Sequence, residues 1–268
     1  MKKTINWGVL GAAAIANGRT MPAMLEAPSA TLLALASRDG EKGSAAAQTF
    51  GIARVYTGYA DLLADPDIDA IYVPLPNQLH FEWSVRALEA GKHVLCEKPL
   101  CLTAEQVLRL CAVRDRTGLH IEEGFGFRNH PQCARLDELL AGDATGPVRA
   151  VHATLAKQFL APLDVRNNPA AGGGALYGWL RLDFPYAHAR PIACSIELGD
   201  GGSVGSFPAE IFMFEPVNQY TLQVERFSRL LLGHDVPSWP IEDAPGTLRT
   251  IEALFASGRS GGWQALPG

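Results

Sequence analysis

The residues best suited to chemistry are Glu97, Lys98 and Pro99, which follow an apolar run at residues 94–96. The run predicts a short buried strand, so the charged pair would emerge where a strand of the core ends. Proline restricts the residue before it to extended conformations, and a cis Lys98–Pro99 bond is possible. A lysine held in this way is a candidate proton donor and acceptor. Taken alone, however, such a tripeptide is more often a surface ion pair at a strand end.

A turn of small residues follows the first apolar strand, which we predict over residues 5–10. Against the pattern G-x-G-x-x-G/A, Gly11 matches the first glycine and Ala16 the last, whereas Ala13 replaces the middle one. Small residues let the backbone approach a pyrophosphate at a helix N-terminus, although an alanine-rich helix start would look the same. The turn predicts that the phosphates of a dinucleotide are bound by Gly11, Ala12, Ala13 and Ile15.

A second predicted strand, over residues 31–36, ends in Ser37, Arg38 and Asp39. The end of this strand normally meets the adenosine ribose of a dinucleotide. Ser37 and Arg38 suit the 2′-phosphate of NADP, whereas an acidic residue would accept a hydrogen bond from the 2′-hydroxyl of NAD. We therefore favour NADP, and Asp39 keeps NAD possible. Arg38 could also be a solvated loop arginine.

A third predicted strand, over residues 69–73, stops at Pro74, and Asn77 is expected to cap a helix that begins at Gln78. His80 falls in the first turn of that helix, where an isolated histidine is usually structural. Ligands of parallel sheets bind at the carboxyl ends of the strands. On this ground the further candidates for cofactor binding are Pro74, Leu75, Asn77, His80, Glu97 and Lys98.

Strands and helices alternate from residue 5 to about residue 122. A capping box at residues 103–106 opens a helix to about residue 116, and a strand is predicted over residues 119–122. The alternation predicts an α/β fold with a doubly wound parallel sheet, that is, a Rossmann domain. The turn at Gly11, the loop at Arg38 and the Glu97–Lys98 pair all fall at carboxyl ends of strands. This convergence makes Lys98 the strongest catalytic candidate.

The composition limits the possible classes of protein. The chain has 268 residues, of which 47% are hydrophobic and 19% charged, which is enough for a sizeable core in one or two domains. A net charge of −5 gives no electrostatic reason to expect nucleic acid as a partner. The start at Lys2 and Lys3 resembles a signal peptide, but the apolar residues behind it also fit a first strand and turn. No later run approaches the roughly 18 apolar residues of a membrane helix, so no membrane partner is expected.

The five cysteines are odd in number and show no C-x-x-C spacing. Reduced thiols in a cytoplasmic protein are therefore expected, rather than disulfides or a metal site. In the second half we predict strands over residues 148–156, 192–198 and 210–214, followed by helices over residues 219–232 and 241–257.

The ordered set of motifs resembles the glucose-fructose oxidoreductase/inositol dehydrogenase/MocA family, especially its dihydrodiol dehydrogenase and NADP-dependent xylose dehydrogenase branch. The matching segments are residues 7–13, 36–39, 76–80, 97–99, 123–132, 164–166, 172–177 and 218–227. The resemblance implies a Rossmann domain, residues 1–122, and an α+β domain, residues 123–268, with an open, mainly antiparallel sheet. In the family that sheet carries the substrate pocket on one side and often an oligomer interface on the other, so a homodimer or homotetramer is expected.

The resemblance also implies roles for individual residues. Lys98 would act at the hydroxyl group of a sugar, polyol or dihydrodiol beside the nicotinamide. Arg128, His130, Arg166 and Tyr177 fall in segments that line the family's active-site cleft. Arg128 and Arg166 could equally be structural ion-pair residues.

One departure from the family concerns the sequence after Tyr177. There the family usually continues Asp-x-Gly-x-Tyr/His, whereas residues 178–185 of this chain read like a later strand. Residues 200–208 likewise look like two strands joined with material missing. Either the protein has lost these segments or the sequence omits residues that the protein contains, and the intact flanking motifs favour the second. Tyr186 and His188 are not assigned the missing role merely because they lie nearby.

The expected reaction is hydride transfer to or from a secondary alcohol or hemiacetal carbon, with neutral Lys98 taking the hydroxyl proton and its ammonium form returning it. An ordinary lysine pKa of about 10.4 is too high for a base at neutral pH, and burial and the positive nicotinamide would lower it. Glu97 would oppose that change, so we expect it to point away. A non-catalytic, cofactor-sensing regulatory protein is the alternative: intact Lys98 argues against it and the missing segments argue for it. A structural or assembly protein is the least favoured reading.

Overall fold

A six-stranded parallel sheet forms the first half of the computed structural model, which describes residues 3–142, 194–198 and 210–265. Its strands lie in the spatial order β3-β2-β1-β4-β5-β6, and every neighbouring pair is parallel. This is the doubly wound order of a Rossmann domain, so the predicted fold class is confirmed. The strands are β1 (Ile5–Leu10), β2 (Ala30–Ala36), β3 (Arg54–Tyr56), β4 (Ala70–Val73), β5 (His93–Cys96) and β6 (Ile121–Glu123).

Helices connect these strands and continue into the second half. The helices of the sheet are α1 (Met21–Glu26), α2 (Gly40–Phe50), α3 (Tyr59–Leu63), α4 (His80–Glu89) and α5 (Ala104–Thr117). They are followed by α6 (Pro131–Ala141), an antiparallel pair of strands, β7 (Cys194–Leu198) and β8 (Glu210–Phe214), and then α7 (Gln219–Leu231) and α8 (Ala244–Ser260). Single helical turns lie at Ala16–Thr20, Asn77–Leu79, Gly126–Asn129 and Ile241–Asp243.

Local sequence explains where several helices begin and end. Asp39 caps α2 by accepting from the backbone N–H of Lys42, and Thr103 caps α5 by accepting from that of Gln106. Gly118 adopts a left-handed conformation, with φ of 68°, where α5 ends. The N-cap of the capping box predicted for α5 is thus observed, whereas the Gln106 side chain accepts from Leu102 N at 3.0 Å rather than from Thr103 N.

The two faces of the sheet pack against separate layers of helices, because side chains alternate along each strand. Trp7 and Tyr72 belong to the layer formed with α1, α2 and α7. Leu10 and Ile71 belong to the opposite layer, formed with α4, α5 and α8. The sheet is therefore covered by helices on both faces, as a parallel sheet requires.

The helices α7 and α8 come from the second half of the chain but complete the core of the first. On α7, Phe227 is fully buried, with its ring centroid 5.8 Å from that of Trp7, and Ser228 accepts a hydrogen bond of 3.0 Å from the Trp7 indole. On α8, Leu248 and Ile251 are buried in the layer that includes α5. Full burial of one such side chain contributes about 1.5–3 kcal/mol. The division between residues 122 and 123 stays a prediction, but the core extends across it.

Most of the predicted elements are observed, with some differences at their ends. The structure starts β6 at Ile121 rather than at residue 119, and α8 is preceded by a separate turn. Asn77 does not cap a helix: it lies inside the short turn Asn77–Leu79, and α4 begins at His80 without a side-chain cap. Pro74 and Pro76 disfavour helical backbone at the residues that precede them, so the turn can begin only after residue 75. The predicted strand over residues 148–156 lies outside the described residues.

Within the described residues, no helix has the length and apolar character needed to cross a membrane. The four cysteines whose side chains are described, Cys96, Cys101, Cys111 and Cys133, form no disulfide with one another.

Candidate active site

The order of the strands reverses between β1 and β4, and this switch point brings Gly11 and Leu75 together. Gly11 follows β1, has φ of 95° and donates its N–H to Ala36 across a distance of 2.7 Å. A Cβ atom added to Gly11 would lie 3.2 Å from a methyl group of Leu75 and 3.6 Å from the Tyr59 hydroxyl. The backbone conformation therefore favours glycine, and a Cβ atom would also require the Leu75 methyl group to move by a few tenths of an ångström. Pro74 and Leu75, directly after β4, are buried against this turn.

The chain becomes helical at Ala14, continues through the wide turn Ala16–Thr20 and then enters α1. The first N–H groups of a helix have no partner within the helix, and they attract anions. Ala12, Ala13 and Ile15 are partly exposed at this start. The turn thus fits a pyrophosphate, and it lies in the crevice where doubly wound sheets bind nucleotides.

The three residues that follow β2 make different contacts. Ser37 is buried and donates its hydroxyl proton to the carbonyl oxygen of Asp39 across 2.7 Å. Asp39 accepts from Lys42 N at 3.1 Å and lies 3.3 Å from the Lys42 ammonium, and these contacts lower its pKa. Arg38 is exposed, with its guanidinium 6.0 Å from the ring centroid of Tyr59. Arg38 is therefore the side chain of this group that remains available to a phosphate.

Glu97 is held by a chain of two buried hydroxyl groups. Thr20 donates to the Tyr72 hydroxyl at 2.9 Å, and Tyr72 donates to Glu97 Oε1 at 2.7 Å. Burial and the charge of Glu97 raise the pKa of Tyr72 well above its ordinary value, so Tyr72 stays protonated and remains a donor. The orientation of Glu97 is thereby fixed relative to β4. That Glu97 points away from Lys98 stays a prediction.

Lys98 follows directly, and its bond to Pro99 is cis. The backbone on the amino side is anchored by a 3.1 Å hydrogen bond from Glu97 N to Val73 O. On the carboxyl side, His80 Nδ1 lies 2.7 Å from Pro99 O, and Glu123 Oε1 accepts from Leu100 N at 2.8 Å. The backbone on both sides of Lys98 is thus fixed by contacts with β4, α4 and β6.

His80 occupies a fully buried position between two loops. Its Nδ1 meets the carbonyl oxygen of Pro99, and its Nε2 lies 2.7 Å from that of Leu75. Burial lowers the pKa of His80, while the two carbonyl groups oppose that change. His80 therefore contacts the backbone of two loops: residues 74–76 after β4, which we predict to border the cofactor (the cofactor loop), and residues 97–100 after β5 (the lysine loop).

Glu123, the last residue of β6, was not singled out from the sequence. It pairs with Cys96 in register. The residue as a whole is partly exposed, whereas its carboxyl group is buried. Burial raises the pKa of Glu123 to about 7, while the Leu100 N–H, Arg128 and Lys98 favour its charged form. Its position could have indicated this residue, because an acidic side chain at the carboxyl end of the strand beside β5 is expected to lie near Lys98.

The remaining candidates belong to the second half. Arg128 forms an ion pair of 2.6 Å with Asp243, which agrees with the alternative that it is a structural ion-pair residue. His130 is buried, and its Nδ1 accepts from Gln132 N at 3.2 Å where α6 begins. Burial lowers the pKa of His130. The other positions considered in the sequence lie outside the described residues: Arg166, Tyr177, Tyr186 and His188.

A second set of contacts fastens α7 to β6 just before Glu123. Arg226 forms a buried ion pair with Glu122, donates to Asn129 Oδ1 at 2.6 Å and donates to Pro237 O at 2.7 Å. The backbone of Trp239 also donates to Glu122, at 3.0 Å. Breaking such a buried pair is costly, so this network holds the end of β6 in place.

Comparisons with known proteins agree with this arrangement. The model of the family GFO_IDH_MocA, described as an oxidoreductase family with an NAD-binding Rossmann fold, matches residues 5–125. An uncharacterized oxidoreductase of Rhizobium meliloti is 32% identical over 331 residues, covering 98% of this chain and 99% of that protein. Because that alignment is longer than the 268 residues of this chain, the relative contains segments that the chain lacks.

Other matches are shorter or structural. A dTDP-3,4-didehydro-2,6-dideoxy-alpha-D-glucose 3-reductase of Saccharopolyspora spinosa is 41% identical over 66% of this chain, but the match spans only 53% of that protein. The crystal structure of a 3-ketoreductase variant from Actinomadura kijaniata, in complex with TDP-benzene and NADP, superposes with a TM-score of 0.69 at 26% identity. That superposition covers 94% of this chain and 97% of the ketoreductase chain.

Proposed function

Because this chain belongs to the GFO_IDH_MocA family of oxidoreductases, we propose that it is an NADP-dependent sugar dehydrogenase or reductase in which Lys98 moves the proton. Its substrate carbon is a secondary alcohol or hemiacetal carbon of a sugar, polyol or dihydrodiol, or the corresponding carbonyl. The observation that carries the proposal is the location of Lys98 at the carboxyl end of β5, in a loop that His80 ties to the cofactor loop after β4.

The choice of NADP rests on the end of β2. Ser37 donates within the turn and Asp39 caps α2, but both side chains keep lone pairs that can accept from a ribose hydroxyl group, so these contacts do not exclude NAD. Arg38 is exposed and suits a 2′-phosphate through charge-assisted hydrogen bonds. The relative from Actinomadura kijaniata was crystallised with NADP, which supports the same choice.

The protein's own residues supply binding, orientation and proton transfer. Gly11 and the helix start that follows it receive the pyrophosphate, and the bound dinucleotide provides or accepts the hydride. In oxidation, the neutral amine of Lys98 takes the proton of the substrate hydroxyl group, and in reduction the ammonium returns it. The Tyr72–Glu97 and His80–Pro99 contacts keep the lysine loop at one distance from the cofactor loop.

A screen of turnover tests this function. Purified protein is incubated with NADP or NAD and a panel of aldoses, polyols and dihydrodiols, and with keto sugars and NADPH in the reverse direction. Dinucleotide-dependent turnover of at least one sugar is expected. Binding of NADP without turnover of any compound would instead support the cofactor-sensing alternative, which needs Gly11 and Arg38 but gives no reason to organise Lys98.

We also infer that the protein forms a homo-oligomer through the sheet of its second half. On β8, Ile211 and Met213 lie on one face with 52% and 68% of their surface exposed. Large apolar side chains on one sheet face commonly mark an interface. Light scattering on the purified protein gives the mass in solution, and a strictly monomeric mass would contradict this inference.

A further inference from the structure

The carboxyl end of β6 is pressed against the backbone that leads to Lys98. Gly124 N donates to Cys96 O across 2.6 Å. A Cβ atom on Gly124 would lie 3.1 Å from that oxygen and 3.3 Å from the Cα atom of Glu97. Only glycine allows this approach without displacing the neighbour, and Glu123, one residue earlier, is thereby set beside the lysine loop.

The carboxyl group of Glu123 contacts that loop directly. Its Oε1 accepts from the backbone N–H of Leu100 at 2.8 Å, two residues beyond Lys98. Leu100 is itself fully buried, so this end of the loop has little freedom. Hydrogen bonds to an ionised acceptor are roughly twice as strong as neutral ones, so the strength of this contact depends on the charge of Glu123.

Several charged or titratable groups face Glu123. Lys98 and Arg128 favour its carboxylate form, and Asp243 opposes it. Part of the charge of Arg128 is balanced by its own ion pair with Asp243. The nearby thiols of Cys96 and Cys101 stay protonated, because burial raises the pKa of each. Electrostatic interaction is mutual, so if Lys98 stabilises the carboxylate, the carboxylate stabilises the ammonium form of Lys98 to the same extent.

We propose that Glu123 is a positioning residue for Lys98, which holds the lysine loop through Leu100 and favours the ammonium form of the lysine through its charge. The proposal rests on the proposed function for the role of Lys98 in catalysis, but the interaction itself is independent of substrate. Glu123 therefore sets how readily Lys98 gives up and regains its proton.

The variant Glu123→Gln separates charge from hydrogen bonding, because an amide oxygen can still accept from Leu100 N. Competitive labelling with acetic anhydride, read by peptide mass spectrometry from pH 6 to 11, reports the titration of each lysine. In the variant we expect the midpoint for Lys98 to fall by about 0.5 pH unit or more, with that of exposed Lys42 unchanged. An unchanged midpoint for Lys98 in a folded variant would overturn the proposal.

The control is Glu105→Gln, which removes the same charge from an exposed position on α5. It is expected to leave the Lys98 midpoint in place, and an equal shift in this control would also count against a specific effect of Glu123.

A second measurement covers the case in which Glu123→Gln does not fold. In protein labelled with ¹³C at glutamate carboxyl carbons, NMR follows the titration of Glu123 in the unaltered chain and in Lys98→Ala. Loss of the cation should raise the midpoint for Glu123, and an unchanged midpoint would overturn the proposal. Neither measurement needs turnover, so absence of sugar oxidation would defeat the proposed function and leave this inference to be decided by the titrations.

Discussion

The Nδ1 atom of His80 lies 2.7 Å from the carbonyl oxygen of Pro99. The other ring nitrogen lies at the same distance from the carbonyl oxygen of Leu75, so one buried ring joins the loops after β4 and β5. The first of these loops borders the cofactor crevice and the second carries Lys98. The distance between the predicted cofactor crevice and Lys98 is therefore set in part by a residue that belongs to the interior.

The variant His80→Ala removes both contacts and leaves a cavity under the two loops. We expect the free energy of unfolding to fall by about 2–4 kcal/mol, because a buried ring and its contacts with the two carbonyl oxygens are lost. Urea denaturation measures this change, and His120→Ala, at an exposed position, is the control with an expected change within about 0.5 kcal/mol. Equal stability of the two variants would show that the ring does not hold the loops.

The variant Arg38→Ala tests the choice of dinucleotide. Loss of a charge-assisted contact with the 2′-phosphate should weaken NADP binding about ten- to a hundredfold and leave NAD binding within about threefold. Fluorescence titration with both reduced cofactors gives the two dissociation constants. Lys42→Ala, which removes an exposed cation from the nearby helix, should change neither. If both cofactors lost affinity equally in Arg38→Ala, the phosphate role of Arg38 would be wrong.

The variant Tyr72→Phe removes the donor to Glu97 and leaves the buried hydroxyl of Thr20 without its acceptor. We expect a loss of about 1–3 kcal/mol in stability. Thr20→Val in the same background should cost less than it does alone, because its partner is already absent. Additive losses in this double-mutant cycle, measured by urea denaturation, would show that the two hydroxyl groups do not act together.

Glu123 should make a measurable contribution to the pH dependence of the free energy of unfolding. Its pKa is raised from 4.5 to about 7 in the folded protein, so between these values the folded state binds more protons than the unfolded state. This group therefore favours folding below pH 4.5, and its contribution is lost as the pH rises through about 7. The free energy of unfolding of Glu123→Gln, relative to that of the unaltered protein, should therefore rise by about 2–3 kcal/mol as the pH is raised from 5 to 8. A difference in stability that does not vary with pH would contradict the raised pKa.

Much of the site follows from local sequence signals. The sequence pattern correctly predicted carboxyl ends of strands at three places: Gly11, Arg38 and the Glu97-Lys98-Pro99 tripeptide. This worked because a short buried strand and the turn after it are encoded in neighbouring residues.

The contacts of Glu123 and Tyr72 could not be predicted in the same way. They depend on the register that sets β4, β5 and β6 side by side, and one residue of slip would turn each side chain to the other face. Likewise β3, with three residues, is too short for a periodic signal, and the return of α7 and α8 to the sheet depends on packing between distant segments. The separate turn before α4 was also not predicted, because Asn77 has the sequence signal of a helix cap.

The role of Lys98 is tested most directly by the turnover of Lys98→Ala with saturating NADP and an active sugar. We predict that kcat falls by at least about 10²-fold, because general acid–base catalysis contributes about that much, while the dissociation constant for NADP stays within about threefold. Lys42→Ala should keep full activity. Turnover by Lys98→Ala close to that of the unaltered protein would contradict a role of Lys98 in proton transfer.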